Sequence, residues 1–261
     1  MKMEWASEVG AIFWRWNIKL LRQPIFIFFS LIQPLVWFLL FTQAFSAIGQ
    51  LPNFEELTGT SSYTTYFTAA VIIQTIASSA LQAGIGLVND LDSGFMDKMR
   101  VAPISKSSIL FGKLFSDAIT IMVQVVIILV IGLALGVHVA SGAAGWLMIL
   151  IISALFGIAW SGISLFVALT TKSAQTTLSV GLLTTFPLLF LSAAVLPVPL
   201  LPEWVQHVAN VNPFTYIAIA YQKLIIVGFE WTAIWQCLAA ILIIGAISLT
   251  ASVVVFRKKV S

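Results

Sequence analysis

The sequence predicts an all-α polytopic membrane protein with six transmembrane helices, and three observations predict it. First, 60% of the 261 residues are hydrophobic and only 9% are charged, where a soluble domain carries about 25% charged residues; mean hydropathy is +1.04. Second, Gln23–Phe54, Leu57–Asn89, Ser173–Pro202 and Trp231–Phe256 contain no Asp, Glu, Lys or Arg, and each can supply the roughly 20 apolar residues of one crossing. A fifth uncharged run, Ala118–Thr171, is long enough for two crossings divided at "GVHVASGAAG", Gly136–Gly145. Third, the runs are continuous, which suits helices; barrel strands are alternating segments of about ten residues.

The predicted spans are Pro24–Ile48, Tyr63–Val88, Ser108–Val137, Trp146–Thr170, Thr176–Val195 and Thr232–Phe256. Six crossings return both termini to one side. Of the 13 Lys and Arg, only Lys223 falls on the other side, so the positive-inside rule makes both termini cytoplasmic. The chain is expected in the cytoplasmic (inner) membrane of a prokaryote. It reads as one domain, residues 1–261, with no internal repeat. The net charge of +3 calls for a bilayer and no nucleic acid, because the basic residues sit where a membrane protein puts them.

Ahead of the first span, residues 3–22 place Trp5, Val9, Ile12, Phe13, Trp16 and Leu20 at helical spacing. Arg15, Lys19 and Arg22 fall largely off that stripe. The pattern predicts an amphipathic helix on the inner membrane surface with Trp at headgroup depth; a simple anchor is the rival reading. Glu4, Glu8 and the length of the following apolar run argue against a cleavable signal peptide, although "AFS" at Ala44–Ser46 resembles a cleavage site.

Residues 196–231 lie outside yet are too apolar for a free loop. Pro197, Pro199 and Pro202 stop the fifth span. Glu203–Asn210 predicts a short helix with Trp204, Val205 and Val208 on one side, Asn212–Pro213 breaks it, and Phe214–Val227 predicts another. Two helices re-entering the outer leaflet fit better than two more crossings, for which each piece is too short.

No phosphate-binding loop is present: Gly112–Lys113 is followed by Leu114 and lacks the upstream glycine. "GIG" at Gly84–Gly86 and Gly132-x-x-x-Gly136 read as close helix packing. His138 and His207 have no Cys or second His nearby for a metal. Cys237 is the lone cysteine and reads as a small apolar residue. The span interiors are expected to offer Gln33, Gln43, Gln74, Gln82 and Gln124, with Gln175 near an end, together with Ser and Thr, and no acid or base for a driving ion. Such a bundle carries no catalytic, cofactor or metal site, and a transporter built this way takes its energy from elsewhere. An ion-coupled secondary transporter and a membrane enzyme or scaffold stand as alternatives. Asp90, Asp92 and Asp97 form a crude acidic cluster better explained by capping and solvation.

The charges gather instead in one cytoplasmic stretch, "NDLDSGFMDKMRVAPISKSSILFGKL", Asn89–Leu114. Asp92 or Ser93 can cap a helix start. Phe95, Met96 and Met99 give that helix an apolar face with Asp97, Lys98 and Arg100 around it, Ala102–Pro103 ends it, and Ser105 caps the next. Residues 90–105 thus predict a short cytoplasmic helix joined to two spans, suited to a groove on another protein. A solvated connector made basic by topology explains the residues equally well.

This stretch resembles the cytoplasmic loop of type 2 ABC exporter permeases. Asp92, Gly94, Met99, Pro103, Ser105, Gly112 and Lys113 match the family pattern in place. "FLSAAVLPVPLLPEWVQHVANVNPFTY" is similar to the family's second hallmark through Asn212, Pro213 and Thr215. The likeness covers essentially the whole chain and looks nearest to the drug-resistance and nodulation-type branch; Ser93 departs from many relatives and leaves the branch open. The resemblance implies a permease that is not itself an enzyme. Two copies of an ABC-type ATPase, holding ATP and Mg, would dock on Asp92, Gly94, Phe95, Met96, Lys98, Met99, Arg100 and Pro103. The interfacial helix, with Trp5, Phe13, Arg15, Trp16 and Lys19, would lie alongside. A second permease copy or a paralogue would complete the path. The first, second and fifth spans would line it, with Gln33, Gln74, Ser78 and Phe190 as candidate contacts.

Overall fold

A computed structural model of the chain describes residues 2–22, 24–94 and 105–259, without the side chains of residues 2–4, 19–20, 24, 26–27, 106–107 and 257–259. Every regular element among the described residues is a helix. The helices are α1 (Lys2–Leu21), α2 (Pro24–Ala44), α3 (Phe54–Thr58), α4 (Tyr63–Asp92), α5 (Lys106–Ala134), α6 (Gly142–Thr171), α7 (Ala174–Phe190), α8 (Glu203–Val211), α9 (Pro213–Ile226) and α10 (Trp231–Lys259), with 3₁₀ turns at Ser46–Gln50 and Val198–Leu200. Among the described residues, four helices are long and apolar enough to cross a membrane: Tyr63–Asp92, Ser108–Ala134, Gly142–Thr171 and Trp231–Phe256. Two shorter apolar helical stretches, Phe28–Ala44 and Ala174–Phe190, stand beside them.

The boundaries follow local chemistry. Ser62 and Ser173 cap α4 and α7 by accepting from Thr65 N and Thr176 N. Ser105 caps α5 by accepting from Ser108 N, as its position ahead of an apolar run predicts. α4 runs one turn beyond the predicted Val88 to Asp92. Ser93 is its C-cap, and Gly94 follows with φ +68°, the left-handed conformation that commonly ends a helix. Asp92 and Ser93 therefore close α4.

α4 is the most enclosed of the long helices and α10 the least. α4 packs on α6, α5, α7, α9 and α2, and α6 also receives α10. Small residues and hydroxyls bring these backbones together, since apolar side chains gain little by leaving lipid for one another. Ser164 Oγ donates to Leu81 O at 2.8 Å and accepts from Gly84 N at 3.2 Å, joining α6 to α4. A Cβ on Gly84 would stand 2.5 Å from Ser164 O. Ser248 Oγ donates to Ala159 O at 2.7 Å and Ser252 Oγ to Gly162 O, joining α10 to α6. Gly84 thus packs as "GIG" predicts. Gly132 and Gly136 do not: Gly136 lies beyond α5 at φ +89°, and the nearest neighbour of a Cβ on Gly132 would be Val137 of the following turn. Cys237 is fully buried, as a small apolar residue in that helix should be.

The two ends of the bundle differ. At one, Ile12 of α1, Leu87 of α4, Ile109, Leu110 and Leu114 of α5, Leu165 and Leu169 of α6 and Phe256 of α10 form a small apolar cluster, so the first and last helices meet at the same end. At the other, Ala140 N donates to Ile225 O at 2.8 Å and Ser141 Oγ to Leu224 O at 2.6 Å, tying the α5–α6 turn to the end of α9.

Candidate functional site

Two regions collect polar or aromatic side chains beyond what packing needs. The first surrounds the α4–α5 connection. Phe95, Met96, Lys98, Met99, Arg100 and Pro103, expected to meet an ATPase, lie outside the described residues, as does the Lys19 side chain. Their flanks are described. Asp92 and Gly94 end α4, and α1 is laid along the start of α5.

Three contacts make that seam. Glu8 Oε2 accepts from Ser105 N at 3.0 Å and from Ser108 Oγ at 2.6 Å. The Ser108 hydroxyl, then the Ser105 amide, stabilise the ionised carboxylate and hold Glu8 below its ordinary value of 4.5. Further along, Gly112 admits Ile12: a Cβ there would come within 2.7 Å of Ile12 Cγ2. Beyond it, Lys113 Nζ lies 4.3 Å from the Trp16 ring centroid and 3.3 Å from Asp117. The Gly-Lys pair of the resemblance thus acquires physical reasons, one for backbone approach and one for a cation–π contact. Trp5 adds an edge contact to Phe111 at 5.9 Å. On α1, Val9 and Ile12 are buried, Phe13 and Trp16 half-buried, and Trp5, Trp14 and Arg15 exposed.

One expectation needs correcting. The span interiors were expected to lack ionisable groups, yet Lys113 and Asp117 sit within α5, Lys113 only 5% exposed. They pair with each other in an i,i+4 arrangement, Lys113 Nζ donating to Asp117 Oδ1 at 3.3 Å, while Asp117 Oδ2 is buried without a hydrogen bond among the described residues.

The second region lies toward the opposite end, between α2, α4 and α7. Trp37 stacks on Phe41 at 4.7 Å and meets Phe186 and Phe190 of α7 at 5.7 and 5.9 Å. Phe41 stacks on Phe67 of α4 at 5.3 Å. Of the candidate path residues, Phe190 belongs to this cluster, Gln33 is exposed on α2, Ser78 is half-buried on α4, and Gln74 is buried. Among the described residues Gln74 Oε1 has no hydrogen-bond partner, and neither does Gln124 Oε1, whereas Gln124 Nε2 donates to Ser30 Oγ at 2.8 Å.

Just past Phe190 the chain leaves the helix and stays buried. Side chains satisfy its backbone, as backbone away from water requires. Asn212 Nδ2 donates to Leu188 O at 2.7 Å and Leu191 O at 2.8 Å, while its Oδ1 caps α9 by accepting from Phe214 N at 3.0 Å. Thr215 Oγ1 accepts from Ala193 N at 3.3 Å. Pro213 occupies the first turn of α9, where its missing N–H is not needed. Ala193 O also accepts from Tyr66 OH at 2.6 Å and Gln222 Nε2 at 2.9 Å. Trp204, expected beside Val205 on one face of α8, is 64% exposed while Val205 and Ala209 are buried.

Sequence reasoning missed Glu8, Trp16 as the partner of Lys113, and the Tyr66–Gln222 pair. For Glu8 the available signal was an acid next to the stripe of an amphipathic helix; its partners lie 97 and 100 positions away.

Residues 7–226 match the model of the ABC-2 type transporter family. The chain is similar to the putative transport permease ycf38 of Cyanophora paradoxa, 29% identical over 216 residues covering 80% of this chain and 71% of that protein. It is similar to the daunorubicin resistance ABC transporter permease protein DrrB1 of Streptomyces coeruleorubidus, 23% identical over 229 residues covering 87% and 78%. A third relative is the probable multidrug ABC transporter permease YbhR of Escherichia coli strain K12, 24% identical over 177 residues covering 67% and 47%. With a match spanning both the α1–α5 seam and the buried turn after α7, the chain belongs to the ABC-2 type transporter family.

Proposed function

We propose that this chain is the membrane-spanning subunit of an ATP-driven exporter, worked by a separate ATPase that docks on residues 94–101 and on α1 beside them. The family match over residues 7–226 carries this reading. The seam supports it: α1 and the start of α5 flank the connection that would be pushed. Two permeases and two ATPases make the complex, and ATP with Mg belongs to the ATPases. Six crossings, α2, α4, α5, α6, α7 and α10, leave both termini in the cytoplasm of a prokaryote, and α8 and α9 dip into the outer leaflet. The path runs between two copies along α2, α4 and α7, past Gln33, Ser78 and the cluster of Trp37, Phe41 and Phe190. Aromatic faces suit a flat, amphipathic or greasy cargo, in keeping with one relative named for daunorubicin resistance and another named a probable multidrug permease.

The test is co-expression with a phosphate-loop ATPase from the same gene neighbourhood, co-purification, and transport in proteoliposomes. ATP-dependent export by the complex is expected, with none by the chain alone. Changing Gly94 to valine together with Arg100 to alanine should abolish transport while leaving insertion intact, since any side chain at φ +68° is strained. Gradient-driven transport by the lone chain overturns the reading.

A further inference from the structure

α5 does not need Glu8 to be capped. Ser105 Oγ already accepts from Ser108 N at 3.2 Å, which is the ordinary arrangement for a serine N-cap. Glu8 adds a second acceptor from another helix, aimed at Ser105 N and Ser108 Oγ at 3.0 and 2.6 Å. A carboxylate suits this place, because the start of a helix presents unpaired N–H groups and partial positive charge. The contacts then repeat along α1 at four-residue steps. Glu8 meets Ser105 and Ser108, Ile12 meets Gly112, and Trp16 meets Lys113. The two helices therefore run side by side in the same direction. Glu8 is the contact nearest to where the chain leaves the α4–α5 connection.

We infer that Glu8 is a positioning residue that fastens α1 to the exit of this connection, so that α1 and the start of α5 move as one body when the ATPase acts there. The inference rests on the reading of the chain as an ATPase-driven permease. Without the tie, displacement of Ser105 is absorbed in a hinge at the start of α5. With it, the displacement passes into α1 and through the residues around 22–24 into α2. A static scaffold needs only the apolar half of the seam, Ile12 and Trp16. A transmitting joint needs a polar, directional tie at its leading edge.

The experiment uses the permease–ATPase complex in proteoliposomes and measures substrate exported per ATP hydrolysed. Glu8→Ala should still co-purify with the ATPase and hydrolyse ATP, while export per ATP falls about fivefold, the factor that corresponds to the net worth of about one lost hydrogen bond. Glu8→Gln, which keeps an acceptor but no charge, should fall between. In a Cys237→Ala background, Glu8→Cys with Ser108→Cys should be poorly coupled, and a short thiol-to-thiol linker should restore coupling. Wild-type coupling in both Glu8→Ala and Glu8→Gln overturns the inference, and so does a linker that fails to restore export. The linked pair decides the matter if Glu8→Ala fails to assemble. If the wild-type chain binds no ATPase, the functional reading itself fails, a different result from a wild-type complex indifferent to Glu8.

Discussion

A Cβ on Gly84 would press into the Ser164 backbone, whereas one on Gly10 would meet nothing within 4 Å. Gly84→Ala should therefore wedge α4 from α6 and cost about 1–3 kcal/mol. Gly10→Ala should be neutral or stabilise α1 by about 0.5–1 kcal/mol. Thermal midpoints of the detergent-purified chain separate the two, and equal midpoints contradict this account of the interface. The same comparison shows what a spacing can carry. Gly84–Gly86 and Gly132-x-x-x-Gly136 both read as close packing in sequence, but only a helix that continues past the second glycine can pack there, and α5 stops at Ala134. Glu8 gives a pH prediction. Its carboxyl is held below 4.5 in the folded chain, so its contribution is complete above that value and is lost as the pH falls through the lower folded value. The difference in thermal midpoint between wild type and Glu8→Gln should stay constant from neutral pH down to about 4.5 and close below it. A difference that stays flat into stronger acid would show that the Glu8 charge does not make the tie.

Among the elements, the buried turn after α7 is where legible and illegible features meet. Asn212 and Pro213 stood out beforehand because a residue before proline leaves the helical region, and Thr215 joined them through the resemblance to the type 2 ABC exporter permeases. Their second role was not legible. Asn212 also donates to Leu188 O and Leu191 O, and Thr215 receives Ala193 N. Tyr66 reaches the same turn from 127 positions away, a distance that no local pattern spans. Asn212→Ala should strand two buried carbonyls and an α9 N–H, costing about 1–3 kcal/mol per stranded group. Asn212→Asp keeps the acceptor for Phe214 N but supplies no donor, so it should recover only part of that loss. Thermal midpoints together with proteolysis between residues 191 and 202 would read this out. Full recovery by Asp would mean that the cap on α9 matters and the bonds to the end of α7 do not.

At the scale of the whole molecule, charge gives the expected sides of the bundle, and length alone does not settle the number of crossings. α2 has 21 residues, about 31 Å of helix at 1.5 Å per residue, just enough for a hydrocarbon core of about 30 Å. α7 has 17 residues, about 26 Å, and falls short. On the six-crossing proposal the turn that follows completes the crossing: side chains from α4, α8 and α9 satisfy its backbone, the condition under which non-helical chain survives at membrane depth. The contacts support that proposed crossing. Glu8 holds α1 to the start of α5, while Ser141 and Ala140 hold the α5–α6 turn to the end of α9. If α7 turned back without crossing, residues 203–226 would lie on the side of Thr171, opposite the turn to which they are bonded. In a Cys237→Ala background, single cysteines at Glu55, His138 and His207 should therefore react with a membrane-impermeant thiol reagent on intact cells. Cysteines at Ser93 and Thr171 should react only after permeabilisation. His207→Cys grouping with Thr171→Cys would remove the α7 crossing, leaving five, and would overturn the path proposed between α2, α4 and α7.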